Sequence, residues 1–229
     1  HYKGGCLLND NFWWGNIMLA YMCRAVDKEM KPDTWKEESI KRLEEMPLWP
    51  KNWLEHQTKD DYWRHGSVGF GENYAAIQVP VFALDGWADS YTNSVLTLMN
   101  GLNVPRKAMI GPWAHVFAHD GAPGPAIDFL GEATKWWDKW LKGIDNDAMD
   151  CPQVQVWLED SMKPETVHPV SNGRWVGLDS WPSADVAMKT LSMTYGKLQE
   201  EANTKEEIVD LCTLPNHGLL ANEWMGAGV

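Results

Sequence analysis

The sequence predicts an α/β sheet followed by an all-β sandwich, and three observations carry that reading. Two short apolar runs, Val79-Pro80-Val81-Phe82-Ala83-Leu84 and Lys107-Ala108-Met109-Ile110, each end at a glycine turn, as buried strands of a parallel sheet do. Each run is followed by a segment of helical periodicity, giving the order strand, helix, strand, helix. From Val154 onward the period changes to short alternating segments separated by Gly, Pro, Asn and Ser, the pattern of a sandwich. The acidic stretch Asp145-Asn146-Asp147-Ala148-Met149-Asp150 lies between the two regimes and places a boundary near residue 148.

The first third reads as helical. Phe12 to Val26 carries Phe12, Trp13, Ile17, Ala20, Tyr21 and Val26, with Asn9, Asp10 and Asn11 available as caps. Thr34-Trp35-Lys36-Glu37 has capping-box spacing and opens a second helix through Ile40, Leu43 and Met46, with Pro47 and Pro50 as its stop. A short third helix is expected around Lys59 to His65, followed by the loop Gly66 to Gly71. After the first strand, Ser90 to Leu102 forms a helix with Val95, Leu96, Leu98 and Met99 on one side. After the second, Pro125 to Lys142 forms an amphipathic helix ended by Gly143, with Ile127, Leu130, Thr134, Trp137 and Leu141 near helical spacing. The later strands are Val154–Leu158, Arg174–Leu178 and Lys189–Thr194.

Composition excludes several classes. The 229 residues hold 20 basic and 32 acidic side chains, a net charge of −12 with no basic stripe, which argues against a nucleic-acid partner. No apolar run reaches the roughly 18–20 residues that span a bilayer. No charged segment followed by an apolar one marks a signal peptide, which favours a cytoplasmic location. Cys6, Cys23, Cys151 and Cys212 are scattered without a C-x-x-C pair, so they read as free, mostly buried thiols.

In open α/β sheets, chemistry collects at the carboxyl ends of strands. The first strand end carries Gly86-Trp87-Ala88-Asp89-Ser90-Tyr91 and the second Gly111-Pro112-Trp113-Ala114-His115. An acid after one strand and a His after the next suit the later part of a hydrolase triad in the order Ser, Asp, His. His115 would act as general base and Asp89 would fix its tautomer. A solvated loop Asp and an unrelated hydrogen-bonded His fit the same spacing. No Ser meets the G-x-S-x-G elbow; Ser67 has Gly66 adjacent instead of two before it and no preceding strand, so it reads as a loop residue. His115 and His119 have the i, i+4 spacing of a zinc pair, but the Glu of H-E-x-x-H is missing and Gly111-Pro112 disfavours a helix, so no metal is expected. The other histidines, His56 among them, show no partner pattern. The 15 Trp residues read mainly as packing, with a sugar-stacking platform in a non-catalytic glycan-binding module as the alternative.

Taken together, G-W-A-D at 86–89, G-P-W-A-H at 111–115 and W-D-K-W-L-K-G-I-D-N at 137–146 resemble the cocaine esterase / X-Pro dipeptidyl-peptidase-like family of acyl hydrolases, as do Asp60-Asp61-Tyr62-Trp63-Arg64 and the Gly218–Trp224 stretch. The resemblance implies an α/β-hydrolase domain with a helical cap, followed by a jelly-roll sandwich. Residues 1–147 would be the C-terminal part of the hydrolase domain, with the cap at about 11–75, and 148–229 an incomplete jelly roll. It implies Asp89 as triad acid, His115 as triad base and Tyr91 at the edge of the acyl pocket. The substrate would be a small ester or peptide, and no cofactor is implied. The family's nucleophile elbow and oxyanion-hole Tyr would lie upstream of His1, so the chain is expected to be an internal piece of a serine hydrolase, inactive alone.

Overall fold

In the computed structural model the described residues are 2–3, 5–70, 73–163, 165, 168–202, 206, 208, 210, 212 and 214–216. The chain divides into two compact units, His1–Asn73 and Tyr74–Val229. The Gly218–Trp224 stretch lies outside the described residues.

The first unit begins with a small antiparallel pair, β1 (Tyr2–Lys3) and β2 (Cys6–Leu7). Three helices follow: α1 (Asn9–Met22), α2 (Trp35–Glu45) and α3 (Trp49–Glu55). The helix α1 packs against α3 at Gly15, where a Cβ would stand 2.4 Å from the Trp53 ring. In the sequence Pro50 reads as a helix stop, which hides α3. It occupies the first turn of α3 instead, where its missing N–H leaves no bond unmade. The capping box at Thr34 does not form. Thr34 already has helical backbone angles, and its hydroxyl donates to Glu38 Oε1 at 2.7 Å. The helix expected around Lys59–His65 is a 3₁₀ turn, Asp61–Gly66, whose cap Asp60 accepts from the Tyr62 N–H.

The second unit is built on a four-stranded sheet in the order β3 (Val81–Gly86), β4 (Arg106–Gly111), β5 (Val154–Glu159), β6 (Gly173–Leu178). The first three strands are parallel and β6 is antiparallel to β5. Residues 107–111 of β4 are all buried, as befits a strand with neighbours on both sides and cover on both faces. The pleat sorts the side chains. Ala83, Ala108, Ile110 and Val154 face one way and form the core with Val95 and Met99 of α4 (Thr92–Gly101). Phe82 and Lys107 point to the other face, where Phe82 meets Trp136 and Lys107 meets Glu132 of α5 (Phe129–Lys142).

The helix α5 begins at Phe129, where Asp128 accepts from the Gly131 N–H, and ends at Gly143 with φ of 68°, a left-handed cap that suits glycine. Its buried face is not the one expected. Leu130, Trp137 and Leu141 are exposed, while Ala133 and Trp136 are buried. Contact with the wide rings of Phe82 and Trp140 turns Trp136 inward.

A separate sandwich opening at Val154 was expected. Instead β5 pairs with β4 in the same sheet, at Ala108↔Val154 and Ile110↔Val156. Alternation reads the same for a sandwich strand and for the outer part of an α/β sheet with one covered face. Val154, buried beside Ala108 and Ile110, decides between them. Further on, β7 (Ser192–Thr194) and β8 (Lys197–Gln199) form their own two-stranded sheet. Among the described residues no helix is long and apolar enough to cross a membrane. None of the four cysteines is buried: Cys6 and Cys212 are exposed and Cys23 and Cys151 intermediate, and all four are free thiols.

Candidate active site

Register puts Gly86 beside Gly111, so β3 and β4 end level and their following loops emerge side by side. The loops are tied together through the backbone. Trp87 N–H donates to Gly111 O at 2.8 Å and Ala88 N–H to Trp113 O at 3.1 Å. This approach is why position 86 is glycine, since a Cβ there would lie 1.9 Å from Trp113 O. Trp113 is buried and donates from Nε1 to Pro125 O at 2.8 Å, anchoring the second loop. Trp87 donates from Nε1 to Trp157 O at 2.6 Å, tying the first loop to β5.

These ties bring Asp89 and His115 together across 26 residues of chain. Asp89 Oδ2 lies 2.6 Å from His115 Nδ1. Its other oxygen, Oδ1, accepts from the Tyr91 N–H at 2.9 Å. The Asp89 side chain is 6% exposed and that of His115 57%, so the acid is enclosed and the ring faces outward. With Nδ1–H donated to Asp89, the neutral imidazole carries its free lone pair on Nε2, the form a general base needs. The Tyr91 ring stands edge-on to His115, centroids 6.0 Å apart.

An open cavity of about 580 Å³ adjoins this pair, lined by Phe82, Leu84, Asp85, Asp89, Tyr91, His115, Val116, Phe117 and Phe129. Its walls are apolar apart from the acidic and His-bearing end. Asp85 was not singled out from the sequence, although it stands at a strand's carboxyl end four residues before Asp89. Burial pushes its carboxyl up to about 6, the Asp89 carboxylate adds to the rise, and the Gly86 N–H and His115 oppose it. Phe117 and Phe129 were also missed, because only the fold brings the loop after β4 against the start of α5.

The remaining candidates fall elsewhere. Residues 115–119 are not helical, so His115 and His119 do not share a helix face; the His119 ring lies beside Phe117 and Phe129 in a cluster of three near-parallel rings, the two phenylalanine centroids being 6.4 Å apart. Among the described residues no cluster of three His, Cys, Asp or Glu is placed to hold a metal. Ser67 directly follows the 3₁₀ turn of the first unit. His56, expected to lack a partner, has one: its Nδ1 lies 2.6 Å from Asp60 Oδ2 while its ring stacks on Tyr62. That pair spans one local turn, and Asp60 is committed to capping it. Trp157 and Trp175 meet edge-on at 73° and Trp175 packs toward Trp113, which makes them part of the interior of the site's support and not a flat platform.

Comparison with known proteins bears on the same residues. The family model for X-Pro dipeptidyl-peptidase (S15 family) matches residues 1–117, more than half of the chain and a stretch that holds both Asp89 and His115. The chain belongs to the X-Pro dipeptidyl-peptidase (S15) family. Two Bacillus proteins designated as Xaa-Pro dipeptidyl-peptidases align with it. The one from Bacillus anthracis is 28% identical over 138 residues, covering 58% of this chain and 20% of the relative. The one from Bacillus cereus is 29% identical over 127 residues, covering 54% of this chain and 19% of the relative. The chain thus spans about a fifth of the curated relatives it matches. Two crystal structures of a CocE/NonD family hydrolase from Staphylococcus aureus share the fold. Their TM-scores are 0.50 and 0.51 at 15% and 16% identity, over 73% of this chain and 29% and 28% of theirs. Membership in the S15 family makes this a chain of hydrolase lineage with an α/β-hydrolase-like sheet.

Proposed function

We propose that this chain supplies the acid and base of a serine hydrolase that cleaves ester or amide bonds by acyl transfer. The observation that carries the reading is the 2.6 Å approach of Asp89 Oδ2 to His115 Nδ1 at the carboxyl ends of adjacent parallel strands. His115 takes the proton of a serine hydroxyl through Nε2 and returns it to the leaving group; Asp89 keeps Nδ1 protonated and stabilises the imidazolium. The serine and the oxyanion hole come from a segment upstream of this chain. The strand β3 supports that arrangement: among the described residues its outer edge has no neighbour, as in a sheet that continues. The cavity beside His115 would take the acyl group, with Tyr91 at its border and Phe82, Phe117 and Phe129 favouring an apolar one.

The Bacillus relatives' designation points to peptides with proline at the second position, and the resemblance to cocaine esterase keeps small esters in play. Residues 11 to about 75 would form a cap, and the chain from 148 would lead through β5 and β6 into a jelly-roll sandwich. The net charge of −12 suits a small-molecule or peptide substrate and no nucleic acid. The reading is tested with a fluorophosphonate probe on the longer protein that carries this chain. Labelling of an upstream serine that falls sharply on His115→Ala supports it. Labelling of Ser67, or labelling indifferent to His115, overturns it.

A further inference from the structure

The His115 side chain is 57% exposed, so packing does little to hold its ring and the aim of the ring depends on the backbone beneath it. That backbone is tied down by a strap, residues 122–125, from further along the same loop. Ala114 N–H donates to Ala122 O at 2.8 Å, and the buried Trp113 donates from Nε1 to Pro125 O at 2.8 Å. The strap is in turn paired with the segment that leads into β6. Gly124 N–H donates to Pro169 O and Ser171 N–H donates to Gly124 O, both at 2.8 Å, around a parallel bridge between Gly124 and Val170. Ser171 is 1% exposed, and its hydroxyl donates to Glu159 Oε1 at 2.8 Å, which fixes the segment to the end of β5.

We propose that Ser171 is a positioning residue for His115, pinned by Glu159 on one side and holding the strap at 122–125 on the other. The inference rests on the triad reading above and adds to it a residue from beyond β5. The path is continuous: from Glu159 through Ser171 and Gly124 to the Ala114 N–H, every link is either covalent chain or a hydrogen bond of 2.8 Å. A hydroxyl bonded to a carboxylate makes a charge-assisted bond, stronger than a neutral one. The bond between Ala88 N–H and Trp113 O joins the two site loops at their base, but it leaves the chain beyond Trp113 to the strap. Asp89 is placed from the other loop, where its Oδ1 accepts from the Tyr91 N–H, so slack in the strap moves the base relative to its acid. A displacement of about 1 Å there would carry Nε2 off the line of the serine proton, an error that costs as much as about 10²-fold in rate.

The experiment has two arms and three variants. Ser171→Ala removes the donor, Glu159→Leu removes the acceptor at an exposed position that the fold tolerates, and Glu159→Gln keeps an oxygen to accept. In the 229-residue chain, nitrogen NMR of the neutral His115 ring should show Nδ1 protonated, as the bond to Asp89 requires. Ser171→Ala and Glu159→Leu should draw the two ring-nitrogen shifts together, as mixing of the tautomers does, and Glu159→Gln should not. Unchanged shifts in folded Ser171→Ala or Glu159→Leu overturn the proposal. This arm needs no activity, so its result is independent of the triad reading. In the longer protein, Ser171→Ala and Glu159→Leu should each lower kcat about tenfold and leave KM within about twofold, while Glu159→Gln matches the unmodified protein. Full kcat in both, beside a large loss in His115→Ala, overturns the positioning role and leaves the triad reading standing. Full turnover in His115→Ala overturns both.

Discussion

Asp89 and His115 stand 26 residues apart in the chain, and Oδ2 of one lies 2.6 Å from Nδ1 of the other. Nothing local holds them there. The register that sets Gly86 level with Gly111, together with the Trp87–Gly111 and Ala88–Trp113 backbone bonds, makes the contact. Asp89→Asn keeps the shape but offers an amide where the ring needs an acceptor, so His115 adopts the wrong tautomer. In the longer protein its kcat should fall about 10⁴-fold with little change in thermal stability. Steady-state kinetics beside a melting curve separates that outcome from simple unfolding.

Gly86→Ala tests the joint between the loops. The added methyl would sit 1.9 Å from the Trp113 carbonyl, a backbone atom that cannot swing aside. Urea denaturation should show a loss of about 3 kcal/mol, at the upper end of overpacking costs. A neutral result would mean that the loops are not pinned together as described.

The buried ion pair on the opposite face of the sheet makes an asymmetric prediction. Lys107 Nζ lies 2.7 Å from Glu132 Oε2, with side chains 4% and 31% exposed. Glu132→Gln strands a buried ammonium and should cost about 3 kcal/mol, whereas Lys107→Met leaves a carboxylate that can turn to water and should cost about 1 kcal/mol. Denaturation midpoints of the two variants rank them directly.

Asp85 gives stability a pH dependence of unusual sign. Its folded-state value of about 6 lies above the ordinary 3.8, so the native chain binds the proton more tightly than the unfolded one. The stabilisation is fully present below about pH 4 and is lost as pH rises through 6. Because the carboxyl is only part-buried, solvent screening reduces the effect to about 1 kcal/mol. Unfolding free energies from pH 4 to 7 should fall by that amount relative to Asp85→Asn, which lacks the group.

Strands ending in glycine, with a helix after each, were legible because β3 and β4 are buried runs whose ends are punctuated sharply. Asp89 and His115 were legible as a candidate pair because a position just after a strand end is itself a signal, whereas Tyr91 came only from the family resemblance. Three features were hidden for physical reasons. Pro50 can end a helix or begin one, and only the packing of Trp53 on Gly15 distinguishes the cases. The buried face of α5 follows the ring of Phe82, a contact 54 residues away that periodicity does not encode. The strand β5 alternates as a sandwich strand would, and its place in the sheet depends on Val154 meeting Ala108 and Ile110. Asp85 was overlooked because a single acid in a strand-end turn looks solvated until its neighbours are known.

The central claim is that His115 is the base of a hydrolase whose acid is Asp89. Turnover of an X-Pro-p-nitroanilide and of an aryl ester by the longer protein, with and without His115→Ala, tests it most directly. A loss of about 10³-fold or more in kcat on whichever substrate the protein cleaves, with the fold intact by circular dichroism, is the predicted result. Wild-type turnover in the folded His115→Ala protein would contradict it.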